Sequence, residues 1–214
     1  MDDIFVHSSS CVHENAQIGK FTSIWRYCHL EAGAIVGENC NIGQSCYVGN
    51  DARVGNGCRL GNNVSIFSGV YLEDFVFCGP STVFTHIRYP RAIVKRHHVF
   101  EKTIVRRGVT LGANCTITPG IIIGEGSFIA AGAIVSNNVK PWSLVVGAPA
   151  KHVGWISAYG EKINLPLEGE GTWNCEHSGD QYILQGNCLD RSIGEVDVLK
   201  YEKGNRFTRQ VIDR

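Results

Sequence analysis

Every sixth residue from Val12 to Phe84 is apolar: Val12, Ile18, Ile24, Leu30, Val36, Ile42, Val48, Val54, Leu60, Ile66, Leu72, Cys78 and Phe84. Two places before these positions stand small or β-branched residues, among them Ala16, Thr22, Cys28, Ala34, Cys40, Cys46, Ala52, Cys58 and Thr82. One place after many of them stands glycine, as at Gly19, Gly37, Gly43, Gly49, Gly55, Gly61 and Gly79. A period of six is neither the 3.6 of a helix nor the plain alternation of a half-buried strand.

A six-residue unit held in register for this long specifies a parallel β-helix, an all-β fold. Each hexapeptide makes one short flat face, three faces close a triangular coil, and inward residues one full coil apart stack. Glycine and asparagine recur near the corners, as in Gly55-Asn56-Gly57 and Gly61-Asn62-Asn63, where positive φ is expected. The ladder breaks after Phe84 and resumes as Val105, Leu111, Ile117, Ile123, Ile129 and Val135. The step from 84 to 105 is not a multiple of six, so the segment at about 85–104 is a loop extruded from the prism. It is basic and rich in histidine, and long irregular loops within compact domains are usually functional.

The ends of the chain are read more coarsely. Ile4, Phe5 and Val6 are expected to form a strand that caps the open end of the coil, as repeat proteins require. The β-helix is assigned to residues 1–154 and a small irregular C-terminal extension to 155–214. A short helix is expected from Trp155 to Gly160. The rest of the extension is expected to pack back as short strands and turns, with the last dozen residues mobile.

Composition excludes several classes. With 43% hydrophobic residues and 25 glycines in 214, the chain is not disordered. Its formal net charge of zero lacks the footprint of a nucleic-acid binder. No apolar run reaches the roughly 18–20 residues of a membrane span. The acidic start Met1-Asp2-Asp3-Ile4 does not read as a signal peptide, so a cytoplasmic location is expected. Of nine cysteines, Cys28, Cys40, Cys46, Cys58 and Cys115 fall at the small-residue position and Cys78 on the ladder itself. Register marks them as packing residues in a reducing compartment rather than as disulfides. Cys175-Glu176-His177 is too sparse for a zinc site, and no metal is expected.

The ladder closes with Val146-Gly147-Ala148-Pro149-Ala150-Lys151. A hexapeptide prism with one extruded loop and that closing turn resembles the left-handed β-helix acyltransferases that use acetyl-CoA. Narrower likenesses lie in Asn62-Asn63-Val64-Ser65, Leu72-Glu73-Asp74, Phe77-Cys78-Gly79-Pro80-Ser81, Tyr89-Pro90-Arg91, Leu111-Gly112-Ala113-Asn114-Cys115 and Val153-Gly154-Trp155-Ile156-Ser157. Together they resemble N-acetyltransferases of nucleotide-linked 3-amino sugars. Within that group the likeness is to enzymes acting on UDP-2-acetamido-3-amino-2,3-dideoxyglucuronate in bacterial surface-polysaccharide (O-antigen) synthesis. The alternative is an enzyme for a dTDP-linked 3-amino-3,6-dideoxyhexose. The resemblance implies a homotrimer with active sites in clefts between prisms, and closed cyclic symmetry suits a flat-faced solenoid. It implies acetyl-CoA as cosubstrate, its pantetheine against the backbone of Ala113, Ala130, Ala131 and Ala148, with Lys151 near the phosphates.

Two other functions on the same scaffold are disfavoured. The trimeric carbonic anhydrases hold zinc with histidines from facing subunits, but here His29 stands alone in mid-coil. A non-catalytic scaffold would have no need of a basic insertion or of this closing turn.

Amide formation from a thioester needs a neutral amine held on line, an oxyanion donor and a proton acceptor. His86 opens the extruded loop and is the residue expected nearest the amine, because imidazole takes a proton near neutrality. Glu73 is expected to orient His86 or to hold the substrate ammonium. Arg91 and Arg106, with Lys95, Arg96 and Arg107, are candidate partners for a sugar carboxylate or pyrophosphate. Asn62 and Asn63 stand at a corner, where a turn role competes with a sugar contact, and His97-His98 read as solvated. In the family pattern the position after Phe-Thr is commonly asparagine, and the departing CoA sulfur is thought to collect the proton. His86 is therefore either a general base or a hydrogen-bonding replacement for that amide. Steady-state kinetics of His86→Asn separates the two: a base loses on the order of 10²-fold or more in kcat, a positioning residue far less.

Overall fold

A computed structural model describes residues 3–94, 101–194 and 196–200. The chain is a left-handed parallel β-helix of three flat faces, closed at its C-terminal end by antiparallel strands. Face I is a ten-stranded sheet beginning Phe5–Val6, Ser23–Ile24, Asn41–Ile42, Arg59–Leu60 and Phe77–Cys78. Face II has seven strands, from Cys11–Val12 through Tyr47–Val48, Ser65–Ile66 and Val83–Phe84 to Ile134–Val135. Face III has six, among them Arg53–Val54, Val70–Leu72 and Thr103–Val105. Neighbours within a face lie one coil apart in parallel register, as Leu30↔Val48 and Val36↔Val54 show. The ladder residues from Ile24 to Val135 fill one continuous buried core.

Where glycine follows a ladder position, as at Gly61 and Gly79, the reason is steric. A Cβ on Gly61 would stand 2.5 Å from the Pro80 nitrogen, and one on Gly79 would stand 2.5 Å from the Ala113 nitrogen. Neither glycine has positive φ. The left-handed residues are instead two places further on, Gly57 and Asn63 among them. The corner asparagines do more than turn the chain. Asn56 Oδ1 accepts the Glu38 N–H at 2.9 Å and Asn62 Oδ1 the Gln44 N–H at 3.1 Å, each satisfying an edge amide of the coil below.

The cysteines are all free. Those at the small-residue position also donate S–H to corner carbonyls: Cys28 to Gly43 O at 3.0 Å, Cys46 to Gly61 O at 3.1 Å. Burial pushes the Cys115 thiol up to about 11, which leaves it protonated and unreactive.

Several expectations need correction. The expected first strand is present as Phe5–Val6 at the end of face I, but as a rung of the coil rather than a separate cap: it pairs in parallel with Ser23–Ile24, Val6 opposite Ile24, so the ladder starts one position earlier, at Val6. Trp155 does not open a helix. Lys151–Ile156 is a strand antiparallel to Ser143–Val146, followed by Lys162–Ile163. The extension is more regular than expected, with an antiparallel sheet of Gly169–Asn174, Gln181–Gly186 and Cys188–Ser192. Trp142, at the top of the prism, packs edge-on against Tyr182 and joins a second core with Trp155, Ile163 and Leu184. The expected mobility of the last dozen residues, and the readings of Lys95, Arg96, His97 and His98, lie outside the described residues. No helix among the described residues is long and apolar enough to cross a membrane.

Inside the extension, Asp180 is fully buried and bonds Arg191 Nε at 2.8 Å and the Gly194 N–H at 2.9 Å. Burial pushes its carboxyl up, but the Arg191, Gly194 and Ser178 hydrogen bonds outweigh it and hold it below the usual aspartate range. A depressed carboxyl contributes stability above the unfolded value of about 3.9, lost as pH falls through the folded value. Asp180→Ala strands the Arg191 charge and should cost about 3–5 kcal/mol. Urea unfolding followed by tryptophan fluorescence checks it, and the gap to wild type should narrow below about pH 4. Gly79→Ala, which forces the coils apart, should cost about 1–3 kcal/mol in the same assay.

Candidate active site

Counting six-residue faces around the coil assigns each expected site residue to an edge of the prism. Gly61-Asn62-Asn63, Gly79-Pro80-Ser81, Gly112-Ala113-Asn114 and Ala130-Ala131-Gly132 stack one above another on the edge between faces I and II. The structure thus brings Asn62, Asn63, Ala113, Ala130 and Ala131 into one column. The closing turn continues it: Ile134 donates to Gly147 O at 3.0 Å and the Ala150 N–H to Ile134 O at 2.9 Å. Ala148, beside a cis peptide to Pro149, is exposed on that turn, and so is Lys151.

Part of this backbone is already engaged. The Ala130 N–H pairs with Val145 O and the Ala113 carbonyl with the Gly132 N–H. The groove side of the column therefore offers small side chains flanking exposed main chain at Ala131 and Ala148. Lower on the same edge lies a cleft of about 370 Å³ lined by Trp25, Arg26, Asn41, Gln44 and Asn62. Trp25 Nε1 donates to Asn41 Oδ1 at 2.8 Å, which fixes that amide's orientation. Asn63 is a left-handed corner residue and Asn62 braces Gln44, so both carry the turn role.

His86 lies on a different edge, between faces II and III, two residues past Phe84 where the loop departs. Its imidazole is partly buried and stacks on Phe67 with ring centroids 4.5 Å apart and planes at 29°. The base of the loop is clamped just beyond it. Arg88 meets Glu101 with Nε to Oε1 at 2.9 Å and Nη2 to Oε2 at 2.8 Å, and Nη2 also donates to Pro119 O at 2.7 Å. The carboxylate holds the Arg88 guanidinium above its ordinary value, and Arg88 in turn lowers Glu101. Arg91, further out, is exposed.

Glu73 lies on the third edge, between faces III and I, and within the chain it does not orient His86. Arg106 stands one coil above it, because the loop is the detour between Leu72 and its stacked partner Val105. Arg106 Nη1 donates to Glu73 Oε1 at 2.5 Å and the Arg107 N–H to Glu73 Oε2 at 3.0 Å. The two residues expected to face substrate anion and substrate amine thus satisfy each other. Among the described residues, no group of three or more His, Cys, Asp or Glu is placed to hold a metal ion.

The sequence reading passed over Phe67, Arg88 and Glu101. Each left a signal. Phe67 is the one large ring among Glu31, Gly49, Thr85 and Thr118 at equivalent positions, and Arg88 and Glu101 are opposite charges near the two ends of the insertion.

One consequence is quantitative. At about 3.3 Å per residue, a six-residue face spans at most roughly 20 Å. His86 and the alanine column sit at opposite edges of face II, so one chain alone does not bring them together. The Arg88–Glu101 pair is exposed and screened by water, so losing it should leave stability nearly unchanged. Glu101→Gln should nonetheless lower kcat about tenfold by freeing the loop, and the swap Arg88→Glu with Glu101→Arg should recover most of it. Paired kinetics and thermal melts separate the two effects.

Known proteins resemble this chain at the level of family, sequence and fold. The chain matches the bacterial transferase hexapeptide (six repeats) family over residues 15–50 and 102–137, and the hexapeptide repeat of succinyl-transferase over 33–68. It is 36% identical over 171 residues to the dTDP-3-amino-3,6-dideoxy-alpha-D-galactopyranose 3-N-acetyltransferase of Aneurinibacillus thermoaerophilus, covering 80% of this chain and 88% of that one. It is 45% identical over 102 residues to a probable macrolide acetyltransferase of Lysinibacillus sphaericus, covering 47% of this chain and only 54% of that protein. Among solved structures, a mutant of AntD, an N-acyltransferase from Bacillus cereus, in complex with dTDP and coenzyme A, aligns with a TM-score of 0.48 at 20% identity. That alignment covers 71% of this chain and 80% of that one.

Proposed function

The chain belongs to the hexapeptide-repeat left-handed β-helix acyltransferases, and from that premise we propose that it acetylates the 3-amino group of a dTDP-linked 3-amino-3,6-dideoxyhexose, with acetyl-CoA as donor. The observation that carries the sugar class is the 36% identity to a dTDP-3-amino-3,6-dideoxy-galactopyranose 3-N-acetyltransferase over 88% of that enzyme's length. A UDP-linked 2-acetamido-3-amino-2,3-dideoxyglucuronate drew on arginines for its carboxylate. Arg106 is already spent on Glu73, which leaves the neutral sugar the better fit. A role in surface-polysaccharide synthesis suits either substrate.

In this reading the pantetheine arm runs up the edge of Ala113, Ala131 and Ala148, where side chains are small enough for close approach. The nucleotide takes the cleft lower on that edge, where the Trp25 indole and the Gln44 and Asn41 amides suit a pyrimidine base. The amine nitrogen attacks the thioester carbonyl, a C–N bond forms, and the C–S bond breaks to release the thiolate of CoA. The proton shed by nitrogen goes to His86 Nδ1 or Nε2, or to the departing sulfur. Since His86 and the alanine edge sit at opposite ends of one face, His86 acts on acetyl-CoA held by a neighbouring copy. A homotrimer supplies three such pairings.

Release of free thiol from acetyl-CoA should be fast with a dTDP-linked 3-amino-3,6-dideoxyhexose and at least 10-fold slower with the UDP-linked uronate; the reverse order would restore the uronate assignment. Sharing of the site between copies has its own test. His86→Ala and Ala131→Trp variants, each impaired but measurable alone, should recover activity when co-expressed as mixed trimers. No recovery places both edges' functions on one chain.

A further inference from the structure

At the edge between faces II and III the position after the ladder residue is filled on successive coils by Glu31, Gly49, Phe67, Thr85 and Thr118. Phe67 is the one aromatic residue among them and lies on the coil directly beneath the loop. Its ring turns outward at the edge between faces II and III and lies under the His86 imidazole, centroids 4.5 Å apart. The stack continues downward: Phe67 tilts on Tyr47 at 5.7 Å, and Tyr47 stacks on His29 at 5.9 Å with planes at 19°. Glu31 ties off the lower end, accepting from Tyr47 Oη at 3.3 Å and meeting His29 Nε2 at 3.3 Å. Four rings from successive coils thus form one column with His86 on top.

We propose that Phe67 is a positioning residue for His86: its ring, buttressed by Tyr47 and Glu31, fixes the imidazole plane that faces the reacting amine. At a reacting centre about 1 Å of misplacement costs on the order of 10²-fold in rate. Phe67, one residue past the strand Ser65–Ile66, and Tyr47, on the strand Tyr47–Val48, brace the imidazole from the coils below. Sites supported from rigid elements hold geometry better than sites supported from loops.

The inference rests on His86 being the residue nearest the amine, and the experiment separates the two. Phe67→Ala should lower kcat about tenfold and leave KM for acetyl-CoA within twofold, while Phe67→Tyr should restore most of the rate. In a His86→Ala background, Phe67→Ala should cost nothing further. Equal losses in both backgrounds would overturn the positioning role, and unchanged activity of His86→Ala alone would overturn the reading of His86 itself. Phe67→Leu, which keeps the bulk, guards against a folding defect. In NMR spectra, the His86 Cε1 proton should lose its ring-current shift in Phe67→Leu while the rest of the spectrum is preserved. An unshifted wild-type signal would overturn the contact independently of catalysis.

Discussion

Everything in this protein depends on one hydrogen-bonding constraint: each coil is paired, amide to carbonyl, with the coil above it. Gly19 N–H reaches Val36 O at 2.8 Å and Gly79 N–H reaches Leu111 O at 2.7 Å, and the same pairing recurs on all three faces. Pairing at this spacing leaves no room for a Cβ at Gly61, Gly79 and their like, so glycine recurs after the ladder positions there. At the corners asparagine oxygens accept from edge amides and cysteine thiols donate to carbonyls. The hydrophobic ladder supplies the burial, but the pairing decides which residues may stand around it.

The fold was legible because a period of six is a direct image of that pairing. The start of the coil at Val6 was equally visible in register and was lost only because Ile4-Phe5-Val6 looked like an isolated apolar cluster. The site was less legible. Period six places a residue within a face, but only the count over a full coil says which face. Carried through, that count already separates Glu73, after Leu72 on face III, from His86, after Phe84 on face II. The Glu73–Arg106 pair was hidden for a different reason: the extruded loop stretches the sequence distance between residues that are vertical neighbours. The helix expected after Gly154 failed because the strand pairing with Ser143–Val146 outweighed a weak local propensity.

The distribution of the candidate residues over edges has a mechanical meaning, because a rigid prism cannot fold one edge toward another. Within a single copy the edges differ: one presents small side chains and a polar cleft, one presents an imidazole on a ring stack, and the third is closed off by its own ion pair. The C-terminal sheet, with Asp180 and Arg191 locked inside it, seals the top of the coil through Trp142 and leaves the two working edges uncovered.

The loop leaves the prism after Val83–Phe84 and re-enters at Thr103–Val105, directly above Val70–Leu72. Its departure and return are successive stations of the same spiral, as if nothing had been inserted. Such an excursion is topologically invisible to the coils on either side, and its length and content are decoupled from their registry. The appendix can therefore be exchanged for another while the spiral on either side stays as it is.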